Sequence, residues 1–261
     1  MNIVFLFLKY YTIIFLLLAS GYYFIPAGIW YYLFFIRKRE KWKHMRIQKK
    51  FPAAIQIKRE IKYSLFSIAI FSLISVFLYY CIINGYTKMY FQIKDYGILY
   101  FFSSPLIVVL IHDTLFYWTH RFMHIKKVFK YFHSVHHQSS NPSPFSIYAF
   151  RAGEAFIEYS IYPLIFFLLP VHPVTLVLFM LYNIFLNLAG HGGFEFVSEN
   201  FRRHRIFKWQ NSVTNHDRHH TNSKYNYGFY FTFWDKLMNT LKEDDNAQKE
   251  TQKNLRTENI F

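Results

Sequence analysis

The stretch HDTLFYWTHRFMHIKKVFKYFHSVHH, His112 to His137, carries six of the chain's 13 histidines within 26 residues. Imidazole is the commonest nitrogen ligand of metals, and this density of it points to metal binding rather than to a packed core. His120 and His124 are four residues apart at the end of an apolar run, so on a helix they project from one face and can share an ion. His133, His136 and His137 form an H-x-x-H-H group. A second such group, His216, His219 and His220 within NHDRHH (Asn215 to His220), returns about 80 residues later. In each group the first two histidines lie one helical turn apart, which predicts that they share a site while the doubled histidine reaches a neighbouring one. His191, at the end of the apolar segment between the groups, makes nine imidazoles. One ion takes three or four ligands, so nine predict two metal ions. His44, His172 and His204 read as packed or interfacial residues. His112 lies roughly 80° around the helix from His120 and is intermediate between a packed residue and a ligand.

Around this stretch the chain is apolar in blocks. Hydrophobic residues make up 53% of 261, with 32 Phe and 22 Tyr. Runs of about 18 or more apolar residues read as membrane-spanning helices. Residues Ile3 to Ile36 form a run that would extend about 51 Å as a helix, too long for one upright span. It reads as one span with an interfacial stretch, or as a pair kinked at Gly21, Pro26 and Gly28. Ser64 to Ile83 and Gly97 to Trp118 are further spans. Ala155 to Gly190 is broken at Pro170, Val171, His172 and Pro173, which predicts a hairpin that dips in and comes back. The expected fold is all-α: a polytopic integral membrane protein with about four transmembrane helices and a cytoplasmic His-rich helical cap holding a di-metal site. Its segments are an N-terminal membrane anchor (1–36), a basic cytoplasmic segment (37–62), the metal-binding membrane domain (63–242) and a charged tail expected to be disordered (243–261).

The formal charge is +15, and eleven Lys and Arg fall between Arg37 and Lys62. Between apolar blocks this is the positive-inside signal, with anionic lipid headgroups as neighbours. No nucleic-acid-reading motif accompanies the charge. Counting spans from a cytoplasmic basic segment brings all three histidine groups to the cytoplasmic face, beside Lys126, Lys127 and Lys130 and beside Arg202, Arg203, Arg205 and Lys208. The lone cysteine, Cys81, excludes an internal disulfide and a thiolate metal site. The N-terminal run lacks a basic leader and reads as a retained anchor.

The chemistry follows from the ligand type. A zinc hydrolase would show H-E-x-x-H, but Arg121 stands where that Glu would be. A binuclear imidazole site beneath apolar helices suits iron and the O2-dependent oxidation of a lipid carbon. Asp113, seven residues before His120, could orient an imidazole through its free N–H, and Glu154, Glu195 and Asp217 are further candidates for that role. No Gly-rich dinucleotide loop or haem-attachment motif is present, so an external electron donor is implied, a cytochrome b5-type protein or a ferredoxin. The competing reading is a non-enzymatic metal-binding membrane protein, a transporter or sensor. It would place ligands mid-membrane or in a variable loop, whereas these sit at helix ends in fixed spacings.

The order HRxxH, HxxHH and again HxxHH after an apolar hairpin resembles the fatty acid hydroxylase/sterol desaturase superfamily of membrane di-iron enzymes. Within it the chain looks most like the sterol C5-desaturase branch, through REIKYS (Arg59 to Ser64), GYTKMY (Gly85 to Tyr90), DTLFYWTHRFMH (Asp113 to His124), FHSVHH (Phe132 to His137), PSPFSIYAF (Pro142 to Phe150), HGGFEF (His191 to Phe196) and YNYGFYFTFWDK (Tyr225 to Lys236). Arg151 and Asn215 stand where that branch carries histidines. The resemblance implies two iron ions on His120, His124, His133, His136, His137, His191, His216, His219 and His220. It also implies desaturation or hydroxylation of a lipid at an unactivated C–H, on a sterol or on a fatty acyl, sphingoid or carotenoid lipid. The membrane is either the endoplasmic reticulum or a bacterial inner membrane.

Overall fold

The structure, a computed structural model, describes residues 3–48, 50–198, 201, 204–205 and 207–242. The tail at 243–261, with its expected disorder, lies outside the described residues, as do Arg202 and Arg203. Among the described residues the protein is helical, and its only β contacts are two isolated antiparallel bridges, Arg46 to Phe194 and Gln210 to Phe231.

The N-terminal run forms one unbroken helix, α1 (Ile3–Arg37, 35 residues). The kinked pair does not form. Two π-helical sections, Leu17–Phe24 and Tyr32–Arg37, absorb the irregularity instead. The first lies immediately before Pro26, whose ring would clash with the Tyr22 carbonyl in a regular α-helix, and widened turns relieve that clash.

Helix α2 (Ala54–Ile83) starts ten residues before the predicted span, so Lys58, Arg59 and Lys62 belong to its first turns. The basic segment is therefore not one unit. Glu60 explains the early start. It is fully buried, and its carboxylate accepts from Gln56 Nε2 at 2.7 Å and from Ser143 Oγ. Those bonds fix the first turns against the chain around Ser143.

Helix α3 (Gly97–Met123) runs straight through Pro105. Proline cannot donate to the Phe101 carbonyl, but Ser104 Oγ does so at 3.0 Å, which keeps that carbonyl satisfied where no water is available. After the short α4 (Lys126–Phe132), the predicted hairpin is present as α5 (Ala152–Leu168) and α6 (Pro173–His191). At about 1.5 Å per residue α5 reaches roughly 26 Å, short of a hydrocarbon core of about 30 Å. His172 sits at the hairpin tip, where its Nδ1 accepts from the Val174 amide and caps α6. Two short helices complete the order, α7 (Val213–Thr221) and α8 (Phe233–Leu237).

Four helices, α1, α2, α3 and α6, are long and apolar enough to cross a membrane. The side chains they leave outside are those that water disfavours: Ile3, Phe5, Leu17 and Ile25 of α1, Phe77 of α2, Phe102 of α3 and Leu181 of α6. An apolar surface of this extent belongs in hydrocarbon. Inside, one core cluster joins Tyr23, Ile68, Phe71, Ile147, Tyr148 and Leu188, and a second joins Val108, Ile161, Ile165, Phe179 and Tyr230. The chain after α1 folds back over the end of α6. Ile47 N donates to the Gly193 carbonyl at 3.0 Å, and Glu195 N to the Met45 carbonyl at 2.8 Å. The helix ends bearing the histidines thus meet on one side of the bundle.

Candidate metal centre

Helix α3 delivers His120 in its last turn and His124 at its C-terminal cap. The segment after α4 supplies His133, His136 and His137, α6 ends on His191, and α7 presents His216, His219 and His220. All nine predicted histidines converge, and they do so as two groups. His120, His124, His133, His137 and His219 form one; His136, His191, His216 and His220 form the other. Within each group the ligand atoms lie within 4.8 Å of one another. His112 belongs to neither group.

The division corrects the expected pairing inside each H-x-x-H-H. His133 and His137 stay together and His136 crosses over, while His216 and His220 stay together and His219 crosses over. Residues four apart stack on one helix face, whereas their neighbour points about 100° away. The two H-x-x-H-H motifs are interlocked: each group takes a pair from one and a single histidine from the other.

Hydrogen bonds on the far side of the rings decide the tautomers. Nδ1 of His120 faces the Tyr227 carbonyl at 2.8 Å, Nδ1 of His219 the Tyr225 carbonyl at 2.7 Å, and Nδ1 of His191 the Asn187 carbonyl at 2.9 Å. Nδ1 of His133 faces Glu154 Oε1 at 2.5 Å. The three carbonyls can only accept, so Nδ1 of His120, His219 and His191 donates, and His133 Nδ1 donates to Glu154 when that carboxyl is ionised. In a neutral ring Nε2 is then a bare lone pair. The Nε2 atoms face one another: those of His120 and His133 are 3.0 Å apart, of His137 and His219 3.1 Å, and of His191 and His216 3.2 Å. Facing lone pairs repel unless a cation sits between them.

Protonation does not supply that cation. Burial, aided by the neighbouring imidazoles, pushes His133, His136, His216 and His220 well below the ordinary histidine range. Burial likewise lowers His219 to about 4 and His137 to about 2. Neutral nitrogen lone pairs in rings oriented from behind fit a divalent transition metal.

Of the four predicted orienting carboxylates, Glu154 meets an imidazole directly. The other three hold backbone and loops. Asp113, despite sharing a helix face with His120, accepts from the amides of Tyr230 at 2.8 Å and Phe231 at 3.3 Å. Asp217 accepts from Gln48 Nε2 at 2.8 and 2.9 Å, and Glu195 accepts from the Thr214 amide at 3.0 Å at the start of α7. Arg151 and Asn215 lie at its periphery, where Arg151 Nε reaches Ser134 Oγ at 3.2 Å and the Asn215 carbonyl accepts from Asn226 Nδ2 at 3.2 Å.

Three of the four ring-orienting partners are backbone carbonyls, which no residue type in the sequence announces. Asp235 is the side chain that shapes one of them. It is buried, and it accepts from the amides of Tyr227 at 2.9 Å and Gly228 at 2.7 Å, fixing the carbonyl that holds His120. Its signal lay in the YNYGFYFTFWDK stretch, without a stated role.

A family model described as fatty acid hydroxylase matches residues 105–240, which contain every histidine of both groups. The chain belongs to the fatty acid hydroxylase family. Within it, it is similar to the lathosterol oxidases of Rattus norvegicus and Homo sapiens, each 33% identical over 227 residues, covering 84% of this chain and 70% of the relative. It is also similar to a Delta(7)-sterol 5(6)-desaturase of Schizosaccharomyces pombe, 33% identical over 166 residues, covering 63% of this chain and 52% of the relative. Cholesterol 25-hydroxylase of Rattus norvegicus is 34% identical over 149 residues, covering 54% of this chain and 47% of the relative. No solved structure gives a significant match. Its relatives are sterol oxidases, desaturases and a hydroxylase, which makes the chain a member of an oxidoreductase family, and its four long apolar helices make it a multi-pass membrane protein.

Proposed function

We propose that this protein is a membrane-bound, O2-dependent di-iron oxidoreductase that desaturates or hydroxylates a lipid at an unactivated C–H bond. The observation that carries the proposal is the partition of nine imidazoles, seven of them buried, into two groups whose ring nitrogens converge. His120, His124, His133, His137 and His219 hold one iron, and His136, His191, His216 and His220 hold the other. Bound iron supplies the redox chemistry with O2 that removes hydrogen from an unreactive carbon. The chain contributes position. Glu154 and the carbonyls of Tyr225, Tyr227 and Asn187 aim four of the rings, those of His133, His219, His120 and His191, so that their Nε2 atoms stay presented to metal. Packed aromatic rings, Phe116 against His120 and Phe150 against His136, keep bulk water from the histidines.

Electrons come from an external donor, a cytochrome b5-like protein or a ferredoxin. The basic face around Arg37, Lys38 and Lys126 steers an acidic one toward the site. That face is cytoplasmic in the positive-inside sense, on the endoplasmic reticulum or a bacterial inner membrane. The desaturase relatives favour formation of a C=C bond. A second reading, hydroxylation, is favoured by the likeness to cholesterol 25-hydroxylase.

Metal analysis of the purified protein tests the centre: two irons per chain are expected, and none after His136 and His137 are both changed to alanine. Comparing total lipids of cells with and without the gene tests the reaction. A sterol double bond lost on deletion supports desaturation, and a lost hydroxyl supports the second reading. Stoichiometric zinc together with unchanged lipids sinks both.

A further inference from the structure

A cavity of about 50 Å³ lies beneath the two histidine groups, room for a few waters. Phe116 and Phe150 form the end next to the imidazoles. The Phe116 ring is 5.0 Å from His120 and the Phe150 ring 5.2 Å from His136, so each group borders the cavity through one ring. Farther in, the lining turns polar, with His112 and Glu158 among Phe71, Tyr159 and Tyr162. Each of these two side chains has one unpaired atom: His112 Nδ1 and Glu158 Oε1 are buried and have no hydrogen-bond partner. The orphaned ring belongs to a residue only 3% exposed. Leaving two such atoms unsatisfied in an apolar interior costs stability, and folds retain them where a ligand completes them. Neither residue is a member of the metal groups.

We propose that His112 and Glu158 form a subsite for a lipid hydroxyl, which donates to Oε1 of the Glu158 carboxyl group and accepts from His112 Nδ1–H. A hydroxyl is the small group that can do both at once. The proposal rests on the lipid-oxidising function above and adds regiochemistry to it. Glu158 lies one turn of α5 beyond Glu154, the carboxylate that holds His133, a rise of about 6 Å. A hydroxyl held there puts the oxidised carbon within a few bonds of it. In a sterol, carbons 5 and 6 satisfy that distance from the 3-hydroxyl, and carbon 25, at the other end of the molecule, does not.

The test is equilibrium binding of a Δ7-sterol and of its 3-deoxy analogue to the iron-loaded protein in lipid nanodiscs. The full-length protein is expected to bind the sterol about tenfold more tightly than the analogue, the worth of one buried hydrogen bond. Glu158→Leu and His112→Leu should each abolish that preference while leaving the analogue's Kd within about twofold, which also shows that the variants fold. Equal binding of both ligands by the unaltered protein, or a preference that survives both substitutions, overturns the subsite. Unchanged binding with slowed oxidation of both sterols in Glu158→Gln overturns it too, and makes Glu158 a proton relay. Failure of the underlying function reads out separately. Iron-dependent oxidation of a lipid without any hydroxyl preference removes the subsite alone. A hydroxyl preference without oxidation of any lipid removes the function alone.

Discussion

His133 Nδ1 and Glu154 Oε1 share a hydrogen bond of 2.5 Å, with both side chains buried and the two residues in separate elements. The bond ties the loop after α4 to the first turn of α5 and fixes which nitrogen of His133 faces the other imidazoles. Replacing the carboxyl by an amide keeps the shape and puts an NH2 donor in place of one oxygen acceptor. Glu154→Gln is therefore expected to lose roughly 10- to 100-fold in iron affinity or turnover, and Glu154→Ala more. Iron content after dialysis and lipid turnover are the measurements. Full iron retention in Glu154→Ala would show that the bond does not position His133.

The crossing of His136 and His137 into different groups gives a prediction that sequence spacing alone would not make. His137→Ala is expected to weaken the five-histidine site and His136→Ala the four-histidine site, so each single variant should retain about one iron, and lose activity by orders of magnitude. Elemental analysis with Mössbauer spectroscopy separates the two. Loss of both ions in both variants would point to a single cooperative cluster.

Asp235 and Gly228 act at a distance through the Tyr227 carbonyl. A Cβ at position 228 would press on the Phe231 carbonyl and on Asp235 Oδ2. Gly228→Ala is expected to cost about 1–3 kcal/mol. Asp235→Ala strands the buried amides of Tyr227 and Gly228 and is expected to cost at least as much, about 1–3 kcal/mol for each donor left alone. Both should lower the thermal midpoint and loosen His120, read as a changed iron spectrum. An unaltered spectrum in a folded Asp235→Ala protein would remove Asp235 from the site.

Acid should release metal and stability together. Burial lowers His219 to about 4 and His137 to about 2 in the metal-free protein, against about 6.5 in an unfolded chain. The unfolded chain therefore binds the extra protons. The stabilising contribution is complete above about 6.5 and is lost as pH falls toward the folded values. Thermal midpoints of the chelator-stripped protein are expected to be level near neutrality and to fall progressively below about pH 6.5. A midpoint constant down to about pH 5 would contradict the neutral, buried state of these rings.

Chelation itself should destabilise. Removing the ions leaves Nε2 lone pairs of His120 and His133 facing each other at 3.0 Å. The stripped protein is expected to unfold at a lower temperature and to recover on adding ferrous iron, in proportion to the logarithm of its concentration. No change on stripping would mean that the imidazoles are held apart by protein packing alone.

Sequence by itself determined the helical membrane class, the hairpin at Pro170 to Pro173 and all nine histidines, because apolar run length and ligand type are local properties. It also pointed to Glu154. It did not show that the helix of the second span begins at Ala54, because the burial of Glu60 against Ser143 depends on a contact between residues 83 positions apart. It misread Asp113, whose helix face was right but whose partners, the amides of Tyr230 and Phe231, arrive from the far end of the chain. Tertiary structure alone decided the five-and-four division in His112 to His137 and its partner NHDRHH. Spacing says which side chains share a helix face, but ring direction is set by what stands behind each Nδ1. At His120, His191 and His219 that is a backbone carbonyl, a group every residue carries and only the fold can place.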